Sequence, residues 1–211
     1  MFADQSMLAF NSLEDFQKFY KSLNLPIPWR ITTEEMNQRG DRIKHTPYVN
    51  HLRRKFGEKK LFRRNVSVAE TVSFIDNYFI MMKVIDSLKR HLPAEIFDRI
   101  SLYNEYKIAF SKNRRIDFIL EYEKTILLVE FRLSSKFPNV SSVWHRKESE
   151  LLIYKELLKN YLPSDYNVIL YAFIAMPEYN YGNKIFKQIK YNNENADYFA
   201  RYIKRFLTKM K

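Results

Sequence analysis

The stretch from Arg114 to Ser135 constrains this chain more than any other, because it fixes a hairpin and its register at once. Two β-rich runs, 115–122 and 125–134, flank the polar pair Glu123-Lys124, the pattern of antiparallel strands joined by a two-residue loop. Setting Tyr122 against Thr125 then sets Phe118 against Val129 and Asp117 against Glu130. Directly opposed side chains leave the same sheet face with Cβ atoms roughly 4.5 to 5.5 Å apart, where like charges repel unless something positive stands between them. A hard divalent cation, Mg2+ or Mn2+, meets that need with carboxylate oxygens and water. Arg132, two positions past Glu130, points from the same face, with Arg115 opposite it. A plainer arrangement uses the same residues: Asp117 and Glu130 salt-bridged by Arg114, Arg115 and Arg132 at a sheet edge.

Around the hairpin the hydrophobic periods set an order of elements. Val68, Val72, Ile75, Phe79, Met82, Ile85 and Leu88 recur at three and four, which predicts one long helix over 67–92, closed by Pro93. Residues 103–110 alternate and predict a strand. Leu151, Leu152, Tyr154, Leu157, Leu158 and Tyr161 predict a second long helix over 147–161, stopped by Pro163. The apolar run 166–176 predicts a strand buried on both faces, and Asn193 caps a last helix over 194–210.

Residues 1–65 read as a basic, helical N-terminal extension to a main unit over 66–211. Ser12, with Asp15 three positions later, predicts an N-capped helix reaching Leu23, and Pro26 and Pro28 forbid its continuation. Thr32 or Thr33 is expected to cap a second helix, and Tyr48 to Phe56 to form a third. Basic clusters, Arg39, Arg42, Lys44 and then Arg53, Arg54, Lys55, Lys59, Lys60, Arg63, Arg64, accompany them. They suit either an arm that contacts nucleic acid or a helical lid with a solvated basic face.

Composition narrows the partners. Lys plus Arg number 36 against 24 Asp plus Glu, a net charge of +12, which favours a polyanion such as DNA. Without Cys there is no disulfide, thiolate metal site or Cys nucleophile, and His45, His51, His91 and His145 form no ligand pattern. With only 3 Gly, a glycine loop for cradling phosphate is excluded. The start shows no leader, and no run approaches the roughly 18 to 20 apolar residues of a membrane span. A soluble, cytoplasmic protein is expected, away from membranes; a second copy or a protein partner stays open.

Asp117 followed by Glu130-Phe131-Arg132 on the next strand resembles the core of the PD-(D/E)XK nuclease superfamily, an Asp followed by Glu-x-Lys. The chain departs from that pattern twice: Ile116 stands where the motif's name has Pro, and Arg132 where it has Lys. The resemblance covers about 67–177. It implies an α/β fold with a restriction-endonuclease-like core (helix, three-strand meander, crossover helix, fourth strand), here with a helical N-terminal extension and a C-terminal helix.

It also implies metal-dependent hydrolysis of DNA. Asp117 and Glu130 would hold Mg2+ or Mn2+, the Phe131 carbonyl would assist, and Glu70, Asp76 or Glu105 would be a further acid. Glu150 and Tyr154 resemble the Gln-x-x-x-Tyr element of exonuclease-like branches, with Lys147 one turn before on the same flank. With Arg114, Arg115, Arg53, Arg54 and Lys55 they are the expected nucleic-acid contacts. Arg132 cannot serve as a base, because guanidinium keeps its proton in proteins, though it can clamp a phosphate. Three outcomes stay open: an enzyme whose water is deprotonated by metal and solvent, an enzyme using Lys147 as a migrated amine, or a nuclease-like fold that only binds.

Overall fold

Ser67 begins the longest helix with a reciprocal cap. Its Oγ accepts the Glu70 N–H at 3.1 Å, and the Glu70 carboxylate accepts the Ser67 N–H at 3.0 Å, so two donors that the helix leaves orphaned are satisfied. A computed structural model of the chain describes residues 2–24, 47–58, 66–109, 111, 114–133, 140–175 and 196–208. The helix expected after Thr32 or Thr33, the basic residues Arg39, Arg42, Lys44, Lys59, Lys60, Arg63 and Arg64, and the cap Asn193 lie outside these.

The protein is mixed α/β. Strand β1 (Leu8–Phe10) is followed by helices α1 (Leu13–Ser22), α2 (Pro47–Glu58), α3 (Val68–His91) and the short α4 (Ala94–Phe97). Then come β2 (Ser101–Lys107), β3 (Arg115–Tyr122), β4 (Thr125–Leu133), α5 (Val140–Lys159), β5 (Asn167–Ala175) and α6 (Ala196–Leu207). The strands form one sheet in the order β1-β2-β3-β4-β5. Neighbours are antiparallel except β4 and β5, which run parallel from Thr125↔Asn167 to Leu133↔Ala175. The expected sequence of helix, three-strand meander, helix and returning strand is therefore present in α3, β2, β3, β4, α5 and β5.

The hairpin has the register read from its loop: Tyr122↔Thr125 through Phe118↔Val129. Glu123 takes φ 52°, the left-handed first position that a tight loop between twisted strands requires. Lys124 is tied to the start of β5 by its carbonyl, which accepts the Asn167 N–H at 2.8 Å.

Each sheet face carries a core. On one side Leu102, Phe118, Leu120, Leu127, Val129, Phe131, Tyr171 and Phe173 pack with residues of α1, α2, α3 and α6. Phe118 sits at its centre, in edge contact with Phe16, Tyr78 and Phe131 at 6.1, 6.2 and 5.5 Å between ring centroids. On the other side Ile116, Ile119, Ile126, Leu128 and Ala172 pack with Leu151, Tyr154 and Leu158 of α5 and with Phe2. The described N-terminal residues are thus built into the main body: β1 is an edge of the sheet, and Leu13, Phe16, Val49 and Leu52 share the first core.

Several elements differ from the sequence reading. β1 and α4 were not expected, being too short to show a period. β2 begins at Ser101 and ends at Lys107, and α5 begins at Val140, seven residues before Lys147. β5 is buried over Tyr171, Ala172 and Phe173 and only half-buried at Val168 and Leu170, because it lies at the sheet edge.

Candidate active site

Opposite the hairpin loop the sheet changes character. The β2–β3 ladder pairs Asn104 with Phe118 and Tyr106 with Ile116 but skips the pair between them, Glu105 and Asp117. A regular strand places residues two apart on one face, yet Phe118 lies in the first core and Ile116 in the second, and Leu102 and Tyr106 are likewise divided. Both strands exchange faces together at Glu105 and Asp117, so their register survives. Glu105 takes φ 50°, a left-handed conformation that costs a non-glycine residue roughly 1 to 2 kcal/mol.

Asp117 and Glu130 meet at this break. The Asp117 N–H donates to Glu130 Oε1 at 3.1 Å, and the Phe131 N–H donates to Asp117 Oδ2 at 2.7 Å. Each carboxylate is held by backbone belonging to the other strand, which fixes the pair more firmly than side-chain opposition alone. Lys147 completes the group from the helix above, with its Nζ 2.6 Å from Glu130 Oε2 and 2.8 Å from Glu150 Oε2. Lys147 reaches that spot because it extends the inward stripe of α5: Leu151, Tyr154 and Leu158 follow it at four, three and four, and all three are buried in the second core.

A second ion pair flanks the first. The Arg115 guanidinium lies 3.4 Å from Glu70 Oε1 and 3.3 Å from Glu105 Oε2. The expected opposition of Arg115 and Arg132 does not form, since the β3–β4 ladder ends at Phe118↔Val129 and the guanidinium is drawn to two carboxylates on its other side. Glu70, Glu105, Asp117, Glu130 and Glu150 thus gather around two cations, Arg115 and Lys147.

That imbalance shows in the acidities. Burial pushes Glu130 up to about 8, with the Asp117 charge adding to it and Lys147 opposing. Glu105 is raised well above the usual carboxylate range by burial and then by Asp117. Asp117 is also raised, by burial first, against the pull of Lys147 and the Phe131 N–H. Burial would lower the Lys147 ammonium, but Glu130 and Asp117 outweigh it and hold the group cationic. The Tyr154 hydroxyl is raised by burial and by the charges of Glu130 and Glu150.

The remaining expected residues are distributed as follows. Arg132 is exposed and, among the described residues, makes no ion pair with Asp117 or Glu130. Arg114 is exposed beside Arg115, Lys107 pairs with Arg115 across the β2–β3 ladder, and His145 and Arg146 are exposed on the turn of α5 that carries Lys147. Arg53 uses its Nε to bond the Val66 carbonyl at 3.1 Å, a tie between α2 and the segment leading into α3, while Arg54 Nη2 lies 3.4 Å from His51 Nδ1. Lys55 belongs to α2, and its side chain lies outside the described residues. Of the three candidate further acids, Glu105 bears on Asp117 and Glu130 directly, Glu70 is engaged with Ser67 and Arg115, and Asp76 acts on Tyr20 instead.

Among the described residues no three His, Asp or Glu side chains are gathered as a ready cage for an ion. The donors that Asp117, Glu130 and Glu105 offer are carboxylate oxygens in a buried setting with surplus negative charge, and that chemistry fits a hard cation such as Mg2+ or Mn2+. No described helix is long and apolar enough to cross a membrane. No protein-family model and no curated protein matches the chain.

Proposed function

We propose that the chain is a metal-dependent DNA nuclease of the PD-(D/E)XK type with a restriction-endonuclease-like core, hydrolysing phosphodiester bonds at Asp117 and Glu130. The observation that carries this reading is the mutual backbone clamp of those two carboxylates at the broken end of the sheet, with an ammonium at 2.6 Å from one of them. The order α3, β2, β3, β4, α5, β5 supports the same core.

In this reading Asp117 and Glu130 would hold Mg2+ or Mn2+, with Glu105, whose carboxyl feels both of their charges, as a further acid. A divalent ion held there would supply charge neutralisation at the phosphoryl oxygens and a bound water of lowered pKa as the nucleophile. Lys147 is held cationic, so it serves as a donor to a phosphoryl oxygen and as a fixed positive charge, not as the base that removes a proton. Glu150 and the surrounding packing of Tyr154 keep its ammonium aimed at Glu130. Arg132, exposed just past the pair, offers a forked donor to a neighbouring phosphate. Lys107, Arg114 and Arg146 rim the site with the charge that draws a polyanion toward it.

A second reading has specific support. Arg132 in place of the motif Lys favours a nuclease-like protein that binds nucleic acid, or serves as an assembly subunit, without cutting. Purified protein on circular and linear DNA, with and without Mg2+ or Mn2+, separates the two. Cleavage that requires the ion and disappears in Asp117→Asn is the expected result. Salt-sensitive binding with no cleavage selects the second reading, and absence of both overturns each.

A further inference from the structure

The carbonyl and N–H of Asp117 sit where the ladder skips a pair, so both need partners from outside the strand pairing. The N–H has Glu130. The carbonyl accepts from Asn104 Nδ2 at 2.9 Å. Asn104 is fully buried, and its Oδ1 accepts the Tyr78 hydroxyl at 2.8 Å. The amide can point only one way, because a carbonyl accepts and never donates, which leaves the amide oxygen for Tyr78. Asn104 is itself fixed from the other side, its backbone carbonyl accepting the Met7 N–H at 2.9 Å. Tyr78 stands on α3, also fully buried, with its ring against Phe16 and Phe118.

We infer that Asn104, oriented by Tyr78, is a positioning residue of the site: its side-chain amide replaces the missing ladder partner of Asp117 and holds the face exchange that turns the Asp117 N–H and carboxylate toward β4. The inference rests on the reading of Asp117 and Glu130 as cation ligands for its consequence, though not for its geometry. An apolar residue of similar size would fill the same volume in the first core and leave the Asp117 carbonyl buried and unbonded. The strands would then gain by pairing Glu105 with Asp117 regularly, which would carry the Asp117 carboxylate away from Glu130. Partners one shell out from a metal ligand typically change ion affinity by about 10- to 100-fold when removed.

The test compares the full-length parent with Asn104→Ala, Tyr78→Phe and, as a packing control, Leu102→Ala, which lies two residues earlier on β2 in the same core and touches neither carboxylate. Three quantities are read: thermal stability, hydrogen exchange of the Asp117 and Phe131 amides relative to the Leu128 amide, which lies between β3 and β5 over the second core, and Mn2+ affinity by calorimetry. Asn104→Ala is expected to speed exchange at Asp117 and Phe131 by about tenfold or more over Leu128 and to weaken Mn2+ binding by about tenfold or more. Tyr78→Phe is expected to move both in the same direction by a smaller factor, and Leu102→Ala to lower the melting temperature while leaving both at parental values. The inference is overturned if Asn104→Ala, matched in stability with Leu102→Ala, shows parental exchange at the two amides. If Asn104→Ala does not fold, unchanged exchange at Asp117 and Phe131 in Tyr78→Phe overturns it instead. A parent that binds no Mn2+, with faster exchange still present in Asn104→Ala, removes the cation reading and keeps the positioning role.

Discussion

Replacing Glu130 by Gln should make the protein more stable at alkaline pH and less stable at acid pH. Glu130 is 1% exposed and its acidity is shifted from 4.5 to about 8, first by burial and then by Asp117. The folded state therefore binds this proton more tightly than the unfolded chain does. The stability so gained is fully present below about pH 4.5 and is lost as pH rises through about 8. At about 1.36 kcal/mol for each pH unit, that interval is worth roughly 5 kcal/mol, most of it gone by pH 8. The amide keeps an oxygen for the Asp117 N–H but gives up the charge-assisted bond to Lys147, a loss of about 1.5 to 3 kcal/mol, softened because Lys147 retains Glu150 at 2.8 Å.

The balance puts E130Q ahead of the parent by about 1 to 3 kcal/mol at pH 8.5 and behind it by a similar amount at pH 5, with curves that cross between. For a chain of this size 1 kcal/mol moves the melting temperature by about 2 to 4 °C, so thermal unfolding in a chelator across pH 5 to 8.5 resolves the crossing. Addition of Mn2+ should stabilise the parent at pH 8 and leave E130Q nearly unmoved, because only the parent keeps both carboxylates for the ion. A variant less stable by the same margin at every pH would refute the reasoning, since it would mean that neither burial nor Asp117 burdens the Glu130 charge.

Two further outcomes follow from the rim and from the helix above the site. DNA binding should weaken steeply with salt, and alanine at Arg114, Arg132 or Arg146 should each reduce the slope of log affinity against log salt by about 1, measured by fluorescence anisotropy; affinity indifferent to salt would end the nucleic-acid reading. Lys147→Ala should lower metal-dependent cleavage by about 10²-fold or more, while Arg132→Lys stays within a few-fold of the parent, because the ammonium at Glu130 already comes from α5. The reverse pattern would return the catalytic cation to position 132.

What the sequence made legible was whatever short-range rules control. The loop Glu123-Lys124 and the alternation around it fix the register through Phe118↔Val129, and the Ser67 to Glu70 spacing marks the start of α3 with its reciprocal cap. The meeting of Asp117 with Glu130 follows from that register. The Arg115 to Arg132 opposition follows from it too and fails, because extrapolating a register assumes that the strands stay paired. Here Glu70 on α3 and Glu105 on β2 compete for the guanidinium, and neither neighbour is visible from the hairpin alone.

The break at Glu105 was hidden for a related reason. Tyr103 to Ile108 reads as an ordinary alternation, and no glycine marks the left-handed residue. The available signal was Asn104, a polar side chain on the face that Leu102 and Phe118 make apolar, but its meaning depends on Tyr78, 26 residues earlier in the chain. The first two turns of α5 did have a signal, Val140, Val143 and Trp144 at helical spacing, but the polar run His145 to Glu150 separates it from the apolar stripe that starts at Leu151.

On the proposed nuclease reading, the placement of the cation accounts for Arg132 standing where the resembling motif has Lys. β4 stays paired with β5 as far as Leu133↔Ala175, while its pairing with β3 stops at Phe118↔Val129. Strands β3 and β4 therefore part beyond that pair although β3 continues to Arg115, and Arg132 is exposed. A side chain on α5 is better placed to meet Glu130, since Leu151, Tyr154 and Leu158 anchor that helix on the second face and the same stripe, continued one turn back, delivers Lys147. On that reading position 132 need not supply the ammonium, and a guanidinium there has a fork that suits a phosphate better than it suits a single buried carboxylate.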